Sequence, residues 1–205
     1  MPADLRLMVP VNDSVEVDDK ELVRTIRTGD SAAFEQLVRR KTPKVYALCY
    51  RIIGNAEDAR DIAQLVFIKL WENLDKYDPK YAFDTWLYRM VTNVGIDYIR
   101  SRQSRDNAVN SNLRLVKTSI DEEQSLVVQR REIEGVFNDV SSVLSPKQKT
   151  IFVMKEMEDL SSAEIAKVLG CRESTVRNHL FNARKLMQER LQQRYPEYAQ
   201  LWRNR

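Results

Sequence analysis

The chain has 205 residues, enough for one large or two small domains, and 43% of them are hydrophobic against 31% charged, a balance that excludes global disorder. The net charge is only +3, from 33 basic and 30 acidic residues, so bulk charge alone does not single out a nucleic-acid ligand. Its distribution is more informative, with acidic groups gathered at 13–21, 57–61 and 121–134 and basic groups at 100–117 and 172–205, since basic patches are where phosphates are met. Five glycines and no run of alternating β-branched residues predict an all-α chain. Cys49, Cys171 and His179 offer no CxxC or paired-histidine spacing, so no metal site and no cofactor is expected. Both thiols are expected to be reduced, in a cytoplasmic protein. No segment has the length of a membrane span, and residues 1–17 lack the basic start and apolar run of a signal peptide, so membrane insertion is not expected.

After an acidic-leaning tail at 1–17, a first helix is expected over about 18–28, with Leu22, Val23 and Ile26 as its apolar stripe. Gly29 stops it and Asp30 caps the next helix, which carries Phe34, Leu37 and Val38. Pro43 predicts a bend into a further helical run burying Val45, Leu48, Cys49 and Ile52, closed by Gly54. Asn55 caps a helix over 56–74 whose inward stripe is Ile62, Ala63, Val66, Leu70 and Leu74. Leu65, Phe67, Ile68 and Trp71 make this helix apolar almost all round, so it must be covered on more than one side. One face, Asp61, Gln64, Leu65, Ile68 and Glu72, has the composition of a docking surface for a partner. Complete wrapping inside its own domain is the plainer alternative.

A loop at 76–83 leads to a helix expected over 84–102. Eight of the 17 aromatic residues fall between Phe67 and Tyr98. Beside Lys76, Lys80, Arg89 and Arg100, that density suits unstacked bases; the plain alternative is core, which Trp86, Met90 and Val94 resemble. Asn93 is a mediocre helix former placed mid-helix in the stripe Arg89, Asn93, Asp97, Arg100, and is a candidate base contact. From Gln103 to about Glu123 the composition turns to Ser, Asn, Arg and Asp, which reads as a linker.

A second helical domain follows. Leu126, Ile133, Phe137, Val140 and Leu144 mark its first helix. Ser145-Pro146-Lys147-Gln148 starts the next, packed by Ile151, Phe152 and Met154. Ser161 with Glu164 forms a capping box for a helix bearing Ile165, Val168 and Leu169, and Gly170 can end it in the left-handed conformation. Ser174 or Thr175 starts a second helix. At about 100° per residue, Val176, Leu180, Ala183 and Met187 turn inward, while Ser174, Arg177, Asn178, Phe181, Asn182 and Lys185 fan outward. Two helices joined by a glycine turn, the second presenting Arg and Asn, have the shape of a major-groove reader. A plain helical hairpin is the alternative, and His179 points to the interior. Residues after Pro196 can form a short amphipathic helix. No nucleophile–base pair or phosphate-binding glycine loop stands out, so recognition rather than catalysis is expected. A stand-alone helix-turn-helix regulator and a helical adaptor for acidic protein or RNA are the other readings.

The motifs Asp61-Ile-Ala-Gln64 with Phe67 and Trp71, Phe83-Asp-Thr-Trp-Leu-Tyr-Arg-Met-Val-Thr-Asn93, Asp97-Tyr-Ile-Arg100, and the segment from Leu160 through Cys171 with Ser174-Thr-Val-Arg177 and Ala183-Arg184 occur in an order that resembles the extracytoplasmic-function (group 4) sigma factors of bacterial RNA polymerase. The resemblance implies an all-α chain of two small domains joined by a flexible linker: a tail at 1–17, a region 2-like domain at 18–103, a linker at 104–124, a region 4-like domain at 125–191 and an extension at 192–205. It implies a promoter-specific initiation factor without enzymatic activity. Its partners are promoter DNA, an anti-sigma factor and the polymerase core, met at the β′ clamp helices and the β flap. Asp61, Gln64, Leu65, Phe67, Ile68 and Trp71 then meet the core. Residues 76–83 capture a flipped base of the minus-ten element, with Lys76, Lys80, Arg89, Asn93 and Arg100 around it. Ser174, Arg177, Asn178, Phe181, Asn182 and Lys185 read the minus-thirty-five element, with Arg184 near phosphates. Leu65 replaces an acidic residue of many relatives, Asn182 an Arg of some and Asn178 a Ser of many, so the promoter sequence does not transfer.

Overall fold

Apolar residues spaced at helical intervals form nine α-helices and one 3-10 turn among residues 18–109 and 125–202, the part of the chain that the computed structural model describes, and no strand occurs among them. The first group comprises α1 (Asp19–Arg27), α2 (Ser31–Ile53), α3 (Ala56–Asn73), the 3-10 turn Leu74–Lys76 and α4 (Phe83–Val109). Asp30 accepts from the Ala32 and Ala33 amides and Asn55 from that of Asp58, so both caps fall where the sequence puts them. Leu22, Val23, Leu37, Leu48, Val66, Leu70, Leu87 and Val91 make the core between these helices.

Two polar devices fix the N-terminal end of α4. Lys41 is buried and its Nζ lies 2.5 Å from Asp19 and 2.6 Å from Asp84, joining α1, α2 and α4. Burial alone would raise the Asp84 carboxyl, but Lys41 and Lys44 outweigh it and hold it below the usual carboxylate range. Arg27 Nη2 donates to the carbonyls of Leu74, Asp75 and Tyr77 at 2.8, 3.0 and 2.6 Å. It satisfies acceptors that the end of α3 leaves open and anchors the following loop to α1.

Three expectations change. Pro43 does not divide α2, which runs unbroken for 23 residues. The missing amide costs about 3 kcal/mol in an isolated helix, but Leu37 before it and Val45 and Leu48 after it are all fully buried and hold the helix together. α4 continues to Val109, past the expected end near Arg102. Tyr77, Phe83 and Tyr88 are buried, so part of the aromatic stretch is core, not a surface for bases.

The second group comprises α5 (Ser125–Ser141), α6 (Pro146–Glu156), α7 (Ser162–Leu169), α8 (Glu173–Arg194) and α9 (Pro196–Trp202). Capping boxes form at Ser145–Gln148 and Ser161–Glu164, and Gly170 ends α7 at φ 60°. The helix α8 begins one residue earlier than expected, at Glu173, with Arg172 in the cap position and no side-chain cap bond. Ile133, one of the apolar residues that mark this helix in the sequence, is exposed; Phe137 and Val140 carry the inner face of α5. The extension folds back as α9 onto α8, and Tyr198 Oη donates to Glu132 on α5 at 3.0 Å.

The two groups touch. α7 packs on α4, and α6 on α2 and α4. Glu158, in the turn before α7, pairs with Arg51 of α2 and accepts from Tyr88 Oη of α4 at 3.3 Å. Tyr50 Oη of α2 donates to Glu134 of α5 at 3.4 Å.

Candidate nucleic-acid interface

The apolar excess of α3 reaches the surface. Leu65 is 38% exposed, Ile68 55% and Trp71 53%, and exposed Asp61 and Gln64 continue the same face toward the helix start. Trp71 is held edge-on by Phe34, ring centroids 4.7 Å apart, which steadies one side of the indole and leaves the other to solvent. Phe67 is different: it is half-buried against the core and lies off this face.

A groove of about 600 Å³ separates α3 from α4. Ile62, Met90 and Val94 contribute apolar lining, and Lys76, Arg89 and Asn93 bring donors to it. Three of the sequence candidates therefore share one concavity, with Leu65 on its wall. Lys80 and Arg100 are exposed but do not line it; the Lys80 amide is tied to the Asp78 carboxylate within the loop. Trp86, read as core, is half-exposed and lines the groove, its ring 5.3 Å from that of Tyr77. Lys69 and Asn73 were missed. They follow Leu65 at intervals of four along one ridge of α3, a spacing that would have found them. Asn73 accepts from Lys76 Nζ at 2.7 Å and so positions that ammonium at the groove edge.

On α8, Val176, Leu180, Ala183 and Met187 are buried as expected. Ser174, Arg177, Asn178, Phe181, Arg184 and Lys185 are exposed and Asn182 half-exposed. Phe181, with 68% of its surface in solvent, has no core to serve. Arg177 pairs with Glu173 at 2.7 Å one turn earlier. Arg184 reaches across to Glu156 at the end of α6, its Nε and Nη2 both donating to one carboxylate oxygen, Oε1, a fork that holds the guanidinium toward α6. Asn182 Nδ2 lies 3.4 Å from Asn178 Oδ1, so the two amides form one polar ridge. His179 is half-buried; desolvation, with Lys147 adding to it, pushes its imidazole below the usual value, consistent with its inward direction. Among the described residues no group of three or more metal-ligating side chains forms, and no helix is long and apolar enough to cross a membrane.

Residues 37–105 match the Sigma-70 region 2 family, and residues 139–187 the Sigma-70, region 4 family. The first match spans most of α2, all of α3 and most of α4; the second holds the helix-turn-helix. The chain is 30% identical over 186 residues to the ECF RNA polymerase sigma factor SigW of Bacillus subtilis, covering 86% of this chain and 98% of that one. It is 31% identical over 183 residues to the RNA polymerase sigma-H factor of Pseudomonas aeruginosa, covering 85% and 94%. In fold it is similar to CnrH in a complex with the cytosolic domain of CnrY, with TM-score 0.64, 24% identity and coverage of 86% and 98%. It is also similar to the sigma factor RpoE of Bartonella quintana in a complex with the anti-sigma factor NepR, with TM-score 0.58, 18% identity and coverage of 78% and 96%. With both region families in order along one chain, and such relatives matched over nearly their full length, the chain belongs to the extracytoplasmic-function (ECF) RNA polymerase sigma factors.

Proposed function

We propose that this chain, as a two-domain group 4 sigma factor, binds core RNA polymerase and directs initiation by reading a minus-thirty-five duplex with α8 and melted minus-ten DNA with the α3–α4 groove. The observation that carries the reading is the groove itself: Lys76, Arg89 and Asn93 converge on it, and the apolar face Leu65, Ile68 and Trp71 lies beside it on α3. Cationic and amide donors over an apolar wall suit an unstacked base with its phosphate. The apolar face next to it suits a protein surface, the β′ clamp helices of the core, with the β flap meeting the second domain. On α8, Arg177 and the Asn178–Asn182 ridge offer the donors that read guanine and adenine edges, Phe181 an apolar contact for a thymine methyl, and Ser174, Arg184 and Lys185 contacts to phosphate.

Each surface binds weakly by itself, and the polymerase makes the pair selective by holding both at a fixed spacing. The domains run over 18–103 and 125–191, with 104–124 between them, in a cytoplasmic protein restrained by an anti-sigma factor that covers the apolar face of α3. Reconstitution tests the reading: core polymerase with this chain initiates at specific promoters from a genomic library, and the chain alone selects none. Asn93→Ala lowers open-complex formation while core binding stays intact. Initiation at no promoter would sink the reading, and an equal loss of core binding in Asn93→Ala would make Asn93 structural.

A further inference from the structure

The recognition helix and the groove are not independent in this chain. Gly170, the turn that aims α8, sits against α4: a methyl group placed on it would lie 3.4 Å from Arg89 Nη2, one of the groove donors. Gly54, at the end of α2, is approached in the same way by the second domain, since a methyl there would lie 3.1 Å from Asn138 Oδ1 and 3.5 Å from Lys149 Nζ. Glu158 joins the same two helices, α2 and α4. Its side chain is only 9% exposed, and both partners, Arg51 and Tyr88, come from the first domain. The next residue, Asp159, takes φ 53°, the only positive φ outside glycine among the described residues. That conformation marks a tight turn immediately after the Glu158 carboxylate. The seam also carries the Tyr50–Glu134 hydrogen bond, and a seam rich in polar contacts is of the kind that domains open and close.

This arrangement conflicts with the two-element reading on which the present inference rests. Elements centred at minus ten and minus thirty-five lie about 25 base pairs apart, about 85 Å along the duplex. A turn in contact with α4 cannot place α8 on one element while α4 holds the other. Residues 110–124 have a contour of up to about 50 Å, so the connection permits the domains to part.

We propose that the free chain is self-inhibited: Glu158 latches the helix-turn-helix domain onto α2 and α4, and engaging a promoter on the polymerase requires that latch to open. The full-length chain tests it. Arg51→Cys with Glu158→Cys is bridged by a disulfide-containing bis-maleimide linker that spans the length of the two side chains replaced; the trapped chain loses core-dependent initiation at least tenfold relative to the identically treated wild type, and reductive cleavage of the linker restores it. Glu158→Lys, or Arg51→Glu as a second route, enlarges the radius of gyration in X-ray scattering and speeds capture of core polymerase. Arg51→Glu combined with Glu158→Lys returns both to the wild-type values. A trapped chain that initiates as well as the reduced one overturns the latch, as do two single variants that leave radius and capture rate unchanged. The radius reads closure without reference to transcription. Chains that open as expected yet never initiate with core would therefore remove the promoter reading and leave the domain latch standing.

Discussion

Arg177 illustrates how local chemistry suits a proposed role. It is exposed, sits on the first turns of α8, and pairs with Glu173 one turn back, a pair that contributes a few tenths of a kcal/mol at most. Its guanidinium is therefore released at little cost for the guanine edge proposed above. Arg177→Ala is expected to cost about 1–3 kcal/mol at one base position and to relax the preference there, measured by competition among promoter variants with the reconstituted holoenzyme. An equal loss on every sequence would instead make Arg177 a phosphate contact. Residues with local determinants were legible in advance: Ser161 and Glu164 are three apart and cap each other as read, and Gly170 takes the left-handed turn that its lack of a Cβ permits. Arg184 is exposed, but its fork to Glu156 spans 28 residues, and no helical periodicity encodes a partner on another helix.

At the level of elements, the excess of apolar residues on α3 was the most readable feature, because a helix buries one stripe in its own core and the surplus must go elsewhere. Val66 and Leu70 are fully buried while Ile68 and Trp71 are half in solvent. Ile68→Asp should therefore leave the unfolding midpoint nearly unchanged and weaken core polymerase binding by about 2 kcal/mol or more, read by titration of core with the variant. A comparable fall in fold stability would place Ile68 in the core instead. Propensity misled where tertiary packing opposed it. Pro43 signals a break, yet buried neighbours on both sides carry α2 through it, and the polar run after Arg102 signals a linker while α4 continues to Val109. The groove was half legible: Lys76, Arg89 and Asn93 came from their chemistry, whereas Trp86 lines it from a position that periodicity assigned to the interior.

Across the whole molecule, the contact between the domains could not be read from the sequence. Its hydrogen bonds join residues 70 to 107 apart, and each partner alone looks like an ordinary surface residue. Lys149 registers the contact. It is half-buried, and desolvation pulls its ammonium down from 10.5 to about 8; the Phe137 ring, 5.7 Å from Nζ, offsets part of the penalty, and Asn138 and the end of α2 complete the surroundings. A lysine whose folded pKa is depressed penalises the folded state fully below about pH 8, and the penalty fades as pH rises toward 10.5. Stability from this group thus increases between pH 8 and 10. Tyr50 and Tyr88 act with the opposite sign, because burial keeps both phenols protonated in the folded chain while they ionise near pH 10 in the unfolded one, so their effect sets in only at the top of this window. Lys149→Met is expected to stabilise the chain at pH 7 by about 2 kcal/mol, a discounted share of the shift, and to flatten the rise, as checked by denaturant unfolding at pH 7 and 9.5. A variant with an undiminished rise would show that another group titrates.

The Arg184–Glu156 fork has a thermodynamic consequence beyond geometry. Glu156, at the end of α6, accompanies α8, the helix proposed to read DNA, as a tethered counter-ion. When Arg184 meets a phosphate, that carboxylate is carried into the ion atmosphere of the duplex, and the net charge neutralised is smaller than a count of basic side chains implies. Glu156→Gln should therefore steepen the dependence of log affinity on log salt by about 0.9 and tighten binding at low ionic strength. On the proposed reading, the native protein gives up that affinity and holds instead a promoter grip less sensitive to the salt concentration around it.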